Sequence, residues 1–511
     1  MNRSATKFIA CFLWSAAALV AATVHAQTQN QTGALSAFVN NPATAATGLQ
    51  QQAGYAVQGM CTQLVAEGGL RLTGQKGDLF QRCNEMVETA RMFEGIPPGT
   101  GRTLGYTDRS QLAATVQQVS GEELSAQGKL STQVATGQFT NIAGRLSALR
   151  FGGGSTAARG HVAMLGDPAP SSALAMLDQP VSAGTSSLRP APGAASDTEV
   201  PNPWGWFIES SYGFGSHDQT ANEDGFDFDS VSVTTGSDYN FGTGVVGFSV
   251  GYDDYKADFD TATLVTGGDV KVKGYSGSLF GGYFGSGWTM NGIATYGKLN
   301  SDVSRRVVYD STNATCSPSC GAQRTMTGSP DGDYWALGAT IGYEFHAGGW
   351  DILPSLSGSY RDVSIDGYDE HDTSTDGGLA LRYDEQSIKS TRSILGIALS
   401  RPISRSFGVL VPSLRAEWHH EFEDSARTVR AKYVLEDSLT TAVRSSPNDF
   451  NCSISCFTML SDTPDADYGI ASLGITTTFA QRMQFYFVYE ALIGASNLTG
   501  NSIAAGLRGQ F

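Results

Sequence analysis

From about residue 204 to its last residue, the chain alternates between apolar and polar residues with a period of two. In the segment 483–493, for example, Met483, Phe485 and Phe487 fall on one face, while Gln484 and Glu490 fall on the other. Successive side chains of a β-strand point to opposite faces, so this pattern predicts strands with one apolar and one mixed face. The 61 glycines, well above the usual ~7% of residues, also suit a protein built from many short strands.

The links between the candidate strands separate a membrane barrel from a soluble β-sandwich. The alternation defines twelve candidate strands, and their links are mostly long and tight in turn. The strands cover residues 204–215, 226–239, 243–256, 270–284, 287–300, 332–346, 350–364, 386–402, 406–423, 466–479, 483–495 and 501–511. An even strand number with short turns at one end and long loops at the other is the anatomy of a transmembrane barrel, and a sandwich has no reason to sort its loops in this way.

Aromatic residues near the strand ends also favour a membrane-spanning barrel, which carries aromatic girdles at both interfaces. They are Trp204, Trp206, Tyr283, Trp288, Trp335, Trp350, Tyr360 and Trp418. The sequence therefore predicts an all-β, 12-stranded antiparallel transmembrane barrel over residues 204–511, with both barrel ends on the periplasmic side.

One polar face of this barrel is predicted to line its lumen. Arg415, Glu417, His419 and Glu421 share a strand face, opposite the apolar Leu414 and its neighbours. We interpret these four residues as a hydrogen-bonded lumen network with a structural role, and we predict no catalytic residues.

The N-terminus has the order of a secretory signal. Arg3 and Lys7 precede the apolar run 8–22, and the small residue Ala26 follows at a suitable cleavage position. A transmembrane anchor is the alternative, but this run is shorter than the ~20 residues that a membrane-spanning helix needs. Residues 1–26 are therefore predicted to be a signal peptide.

Two further regions precede the barrel. Residues 27–150 carry apolar residues at helical spacing and predict a small helical domain, in which Asp78 with Gln81 resembles an N-terminal cap. Residues 151–203 are rich in Gly, Ala, Ser and Pro, which is the composition of a linker.

Six cysteines follow the predicted signal peptide, and they form neighbouring pairs. The pairs are Cys61 with Cys83, Cys316 with Cys320, and Cys452 with Cys456. In an oxidising compartment these pairs predict three local disulfides. Zinc binding is the alternative, but neither Cys-x3-Cys pair has a nearby histidine, and zinc sites more often use a two-residue spacing.

The remaining composition and motifs exclude several functions. A net charge of −16 gives no electrostatic basis for binding nucleic acid. The glycine motifs within 242–251 match a dinucleotide fingerprint and a nucleophile elbow, but they lie inside a predicted strand and lack the strand–turn–helix context. His419 and His420 point to opposite faces, and the acidic external loops lack a fixed calcium-binding spacing. We therefore predict no cofactor and no metal ligands, and calcium binding by the acidic loops stays open.

The order of these regions, with the barrel ending at Phe511, resembles an autotransporter of the type V secretion class. The closing segment, with Ile503, Ala505, Leu507 and Phe511, looks like the family's terminal strand, which the outer-membrane assembly machinery reads. The resemblance covers about residues 200–511. The helical region is similar to the short N-terminal domains of some members.

The resemblance implies a bacterial outer-membrane location, with the N-terminal domain at the cell surface or in the periplasm. It implies a non-enzymatic barrel that inserts into outer-membrane lipid, uses the secretion and barrel-assembly machinery, and exposes or exports its N-terminal domain. We expect a monomeric barrel, and we expect the linker or the helix around 139–150 to thread or plug the lumen. The ligand of the N-terminal domain stays open.

Three other functions remain as alternatives. The acidic loops or the helical domain would bind an extracellular ligand in a surface adhesion protein. An open barrel would act as a porin, although a separate helical domain has no purpose there. A barrel-mouth protease would need convergent Asp and His residues, and His217 and His371 are the histidines of the predicted external loops.

Overall fold

The computed structural model describes residues 33–121, 124–149, 203–260, 267–440, 450–479 and 483–510. The predicted signal peptide at 1–26, the predicted linker at 151–203 except Pro203, and the terminal Phe511 lie outside these residues.

Twelve strands of the described chain form one closed antiparallel sheet, which confirms the predicted barrel. The first and last strands pair from Gly205 opposite Gln510 to His217 opposite Leu498, so the sheet has no free edge along this seam. The strands are β1 (Trp204–His217), β2 (Phe226–Asn240), β3 (Gly244–Phe259), β4 (Gly268–Gly285), β5 (Trp288–Asp310), β6 (Asp331–Tyr343), β7 (Trp350–Ile365), β8 (Gln386–Ser400), β9 (Gly408–Glu421), β10 (Asp467–Phe479), β11 (Gln484–Ile493) and β12 (Leu498–Gln510).

The links sort to the two ends of the barrel as the sequence predicts. We call the end with links 241–243, 286–287, 344–349 and 401–407 the short-turn end, and the opposite end the long-loop end. The strand predicted over 287–300 is longer in the structure. It continues to Asp310 because a further strand, Gly321–Gly328, pairs with its second half. Short strands at Phe345–Ala347 and Ile403–Arg405 extend two of the tight turns.

The outer wall of the barrel is apolar and its inner wall is mixed. Leu279 and Leu473 are 68% and 61% exposed on the outside, whereas the inward Thr295 and Ser472 are buried. Large apolar side chains placed in this way match a hydrocarbon environment rather than water. The predicted girdle residues are all exposed on the outer surface: Trp204, Trp206, Tyr283, Trp288, Trp335, Trp350, Tyr360 and Trp418.

Four helices of the N-terminal region form a compact group at the long-loop end. They are α1 (Ala34–Asn40), α2 (Gly48–Ala66), α3 (Gly74–Phe93) and α4 (Arg109–Gln118), with a single 3-10 turn at Gly69–Arg71. We call residues 33–121 the cap. The Thr47 side chain accepts from the Gln50 backbone N–H and the Gln50 side chain accepts from the Thr47 N–H, a capping box that starts α2.

The predicted N-cap at Asp78 is wrong. Helix α3 begins four residues earlier, at Gly74, so Asp78 lies inside the helix. Its carboxylate instead accepts hydrogen bonds from Arg324 (2.8 Å) and from the backbone N–H of Gly378 (3.0 Å), both in long loops of the barrel. Tertiary contacts therefore use the side chain that looked like a local capping residue.

The fifth helix, α5 (Leu124–Leu149), lies inside the barrel and packs mainly against β2–β5. Leu130, Val134 and Ile142 belong to the same buried apolar cluster as the inward residues Val272 and Tyr255. The candidate plug at 139–150 overlaps the last part of this helix up to Leu149, and residue 150 lies outside the described residues. In the described part of the chain, no helix is both long enough and apolar enough to cross a membrane.

Glycines let α5 approach the barrel wall closely. Gly137 of α5 faces Asp253 and Ser232, and a Cβ on Gly137 would lie 2.8 Å from an oxygen atom of each. On the wall, Gly274 of β4 faces Val134 of α5, and a Cβ there would overlap the valine methyl group. A helix and a wall that fit each other in this way leave little room for a larger residue.

We predict that replacing Gly274 by leucine displaces α5. Overpacking of this contact costs about 1–3 kcal/mol of unfolding free energy, and single-channel conductance rises because the lumen opens. The matched control is Gly277→Leu on the same strand, since a Cβ at Gly277 meets nothing within 4 Å in the described chain. Equal conductance in both variants would contradict a tight fit of α5.

Candidate functional site

The long loops of the barrel build a platform beneath the cap. Their short strands Tyr368–Asp369, Leu381–Tyr383, Thr428–Tyr433 and Phe457–Leu460 form a separate antiparallel sheet. The strand Gly321–Gly328 and a short partner at His371–Asp372 extend the barrel wall towards the cap, and a 3-10 turn at Val434–Ser438 follows the third strand of the platform. The loops are therefore ordered by backbone pairing of their own.

The cap and this platform share one hydrophobic core. Buried residues of the cap, such as Phe38, Leu64 and Met86, fall in the same apolar cluster as Tyr309 and Met326 of the barrel extensions. Further members from the barrel side are Val307, Ala322, Leu379, Leu381, Tyr383, Val429, Ala431, Tyr433, Leu439, Phe457 and Met459. Separating the cap from the loops would expose both halves of this core to water. The free-energy cost of that exposure opposes release of the cap.

A buried charge cluster fixes the position of the cap on this core. Glu85 of α3 is fully buried and accepts hydrogen bonds from Arg82 (3.0 Å) and from the Tyr309 hydroxyl of β5 (2.9 Å). Arg102 lies 3.5 Å from its other oxygen. Burial raises the pKa of Glu85, although both arginines and the hydrogen bonds oppose this rise. The carboxylate is therefore stable here only with its partners in place.

The same two arginines bind a loop that is closed by a cysteine pair. Arg102 donates to the carbonyl of Pro318 (2.8 Å), and Arg82 donates to the carbonyls of Ser319 and Gly321. Cys316 and Cys320, with Cα atoms 5.7 Å apart, close this turn. The turn thus presents its carbonyls to the cap.

All three predicted cysteine pairs lie at disulfide distance. Cys61 of α2 and Cys83 of α3 have Cα atoms 5.5 Å apart within the cap. Cys452 and Cys456 are also 5.5 Å apart, and they lie in the loop before the platform strand Phe457–Leu460. One pair therefore joins helices of the cap, and two lie in the loops around it.

A second polar contact joins the cap to the loops. Glu67, just after α2, accepts from Lys76 (2.7 Å) and from both the backbone N–H and the hydroxyl of Thr440 (2.7 Å each). The hydrogen bond from Lys76, followed by those from Thr440, lowers the pKa of Glu67 to about 2. The charged carboxylate is the form that holds this contact.

Below the cap, polar side chains tie α5 to β2 and β3. Gln138 donates to Asp253 (3.0 Å), and Asn141 donates to the Thr234 hydroxyl (2.7 Å). Thr234 in turn donates to Gln138 (2.7 Å). Their buried polar atoms are thus satisfied by one another, which gives α5 a defined rotation and depth in the lumen.

The four residues predicted to line the lumen are buried, and they make polar contacts within β9 and with β8 and β11. Arg415 binds Glu490 of β11 at 2.5 Å and lies 3.5 Å from Glu417, whose other oxygen is 3.1 Å from His419. Arg392 of β8 binds Glu421 at 2.7 Å, and Ser390 also donates to it. Alternation places Glu490 on the polar face of its strand, but no sequence signal joins Glu490 or Arg392 to this network, because strand register brings them there.

Three of the four proposed assembly residues lie at the seam that closes the barrel, and the fourth, Phe511, lies outside the described residues. Ile503 and Leu507 of β12 are exposed on the outer wall, opposite Tyr212 and Ile208 of β1. Ala505 pairs with Ser210. These outward positions are consistent with an apolar signal on the last strand.

A cavity of about 380 Å³ lies between α5 and the wall around β8 and β9 at the long-loop end. Lys129 and Gln133 of α5 line it together with Arg392 and Glu421 of the wall. At its edge Lys129 binds Glu223 of the link 218–225. Burial acts to raise the pKa of Glu223, but Lys129 and the hydrogen bonds outweigh it, so that this pKa lies below its ordinary value.

We predict that Glu85→Gln loosens the cap. The substitution leaves Arg82 and Arg102 buried without their carboxylate, and breaking a buried ion pair costs about 3–5 kcal/mol. Hydrogen exchange of the α3 backbone amides measures the loss. The control is Asp258→Asn, because its ion pair with Lys256 is largely exposed and exposed pairs contribute about 0–1 kcal/mol. Unchanged exchange in α3 would contradict the role of the cluster.

We also predict that acid weakens the contact of Glu67. Its folded pKa of about 2 lies below its ordinary 4.5, so its contribution is complete above about pH 4.5 and is lost as the pH falls towards 2. Cleavage of the cap by an acid-active protease should therefore increase over this range. In Glu67→Gln this part of the pH dependence is absent, and the cap is weaker at neutral pH by up to about 1 kcal/mol. Identical acid profiles in both proteins would refute the assignment.

Comparison with known proteins identifies relatives of the barrel. The family model described as "Autotransporter beta-domain" matches residues 206–490. An uncharacterized protein from the trpE-trpG intergenic region of Pseudomonas putida is 29% identical over 167 residues, which cover 32% of this chain and 25% of that protein. Esterase EstA of Pseudomonas aeruginosa is 26% identical over 277 residues, which cover 53% of this chain and 36% of the esterase. The chain thus spans only about a quarter to a third of the length of these curated relatives.

Among solved structures, the translocator domain of the autotransporter NalP from Neisseria meningitidis is 14% identical, with a TM-score of 0.44. The match covers 61% of this chain and 89% of that domain. The family model matches more than half of this chain, and its barrel domain is not itself catalytic. The chain therefore belongs to the autotransporter β-domain family, and its C-terminal part is a barrel of the bacterial outer membrane.

Proposed function

We propose that this autotransporter holds its own N-terminal helices at the cell surface as a permanent cap and does not release them. The observation that carries this proposal is the hydrophobic core shared by the cap and the loops. A domain destined for release needs a surface that is stable in water on its own, and here apolar cap residues such as Met86 belong to one buried cluster with loop residues such as Met326.

The contents of the lumen support retention as well. Helix α5 connects the cap to the inside of the barrel, and Gln138 and Asn141 bind the wall. A porin would need an open lumen, so the packing of α5 against β2–β5 favours a plugged translocator over a porin. We infer that the chain works by display and not by catalysis.

Several features complete this proposal. We infer that residues 1–26 act as a signal peptide, that residues 151–203 link α5 to β1, and that the three cysteine pairs are oxidised. Ile503, Ala505, Leu507 and Phe511 would be read by the barrel-assembly machinery, and the barrel would stand as a monomer in outer-membrane lipid. The network of Arg415, Glu417, His419 and Glu421 would pair opposite charges on the inner wall of the barrel. The extracellular ligand of the cap is left open.

We predict that an epitope inserted between Ile96 and Pro97 is labelled on intact cells, because this segment of the cap is exposed. The matched control is the same epitope at Ser286–Gly287, in a tight turn of the opposite barrel end. This second epitope should react only after the outer membrane is permeabilised.

The culture medium should contain no fragment with the first epitope. Labelling of that epitope only after permeabilisation would show that the cap stays in the periplasm, and a labelled fragment in the medium would show release. Either result would overturn permanent display.

A further inference from the structure

Three side chains with metal-ligand chemistry meet at the long-loop end of the lumen. His217 ends β1, Glu223 lies in the following link, and Asp462 comes from the long link between β9 and β10. Each offers one ligand atom, and these three atoms all lie within 4.8 Å of one another. The side chains of His217 and Glu223 are 4% and 0% exposed, so the group is enclosed.

Two members of the group already bind a cation, the ammonium of Lys129 from α5. The Lys129 Nζ atom is 2.8 Å from His217 Nε2 and donates to Glu223 Oε2. An ammonium has only donors, so His217 Nε2 must accept, and the imidazole is therefore neutral with its lone pair towards the centre of the group. A neutral imidazole nitrogen with two carboxylate oxygens is a common ligand set for zinc and similar divalent ions.

The surrounding bonds hold both carboxylates in place. Glu223 Oε1 accepts from the backbone N–H of Asp462 (2.9 Å), and Asp462 Oδ1 accepts from the Thr220 hydroxyl (2.8 Å). Asp462 Oδ2 lies 3.6 Å from His217 Nε2 and accepts no hydrogen bond within the described chain. Each carboxylate thus has one oxygen held by the protein and one that faces the group, which is how outer contacts orient metal ligands.

The adjoining cavity provides a place for the lysine to go. Lys129 lines this space of about 380 Å³ together with the carboxylates of Glu423 and Asp465. A displaced Lys129 side chain would find negative partners there, and water from the cavity would fill the open coordination position of a bound ion.

We propose that His217, Glu223 and Asp462 bind a divalent transition-metal ion, with Lys129 as a built-in competitor for the same position. The lysine and the ion cannot occupy the group together, because both carry positive charge and both use Nε2 of His217 and Oε2 of Glu223. Binding of the ion therefore breaks a charged contact between α5 and the loops at the barrel rim. This inference extends beyond display of the cap.

The test uses Co²⁺ with the full-length protein in detergent micelles, and visible absorption of the ion as readout. His346→Gln is included in every protein, because Glu344, His346 and Asp351 form the other such group among the described residues. In this background we compare Lys129→Met with Lys129→Met/His217→Gln. The first should bind one Co²⁺ per chain, and the second should bind it at least about tenfold more weakly, the range found for disturbed metal sites.

The unmodified lysine tests the competition. The protein with Lys129 should bind Co²⁺ at least about tenfold more weakly than Lys129→Met, a difference of about 1.4 kcal/mol. Equal Co²⁺ affinities with and without Lys129 would refute the competition, and no Co²⁺ signal in Lys129→Met would refute the site. Heat-dependent gel mobility verifies that each barrel is folded. If Lys129→Met does not fold, loss of weak Co²⁺ binding on His217→Gln in the protein with Lys129 decides the question.

Discussion

The pairing of the first strand with the last is the interaction on which the rest of the structure depends. Hydrocarbon offers no partner for a backbone N–H or C=O group, so a sheet in the membrane must have no edge. The ladder from Gly205–Gln510 to His217–Leu498 removes that edge. Once the backbone is satisfied, the outer wall is free to be apolar and the inner wall to carry charges such as Arg415 and Glu490, which neutralise each other away from lipid.

A closed barrel of this kind is a pore unless something fills it, and this chain fills it with its own N-terminal region. Helix α5 occupies the lumen, and the cap covers the loops above it. The shared hydrophobic core holds the cap by surface burial, which has no directional preference. The cluster around Glu85 adds direction, because the Tyr309 hydroxyl and the backbone N–H of Gly321 on the barrel side reach this carboxylate only in one orientation of the cap.

The sequence predicts the barrel well because each strand carries its own signal. Alternation at period two indicates which strand face contacts lipid. The loop lengths distinguish the short-turn end of the barrel from the long-loop end. The cap is harder to predict from sequence. Its apolar residues pack both against one another and against the barrel loops. Asp78 shows the difficulty: the residue has the spacing of a cap, yet its bonds go to Arg324 and Gly378, about 250 and 300 positions away. Contacts of that range leave no local pattern to read.

The group of His217, Glu223 and Asp462 also leaves no local pattern in the sequence. It further suggests how a plugged barrel responds to its surroundings. These residues come from three separate segments, and only barrel closure brings β1 beside the link that follows β9. Glycines fit helix α5 closely against β2–β4, whereas a cavity lies beside the helix at the long-loop end. Lys129 is the charged contact at the rim of that cavity. Where α5 is held both by packing and by this charged contact beside a cavity, the charged contact is lost first, because an ion or solvent that enters the cavity competes with charge and not with packing.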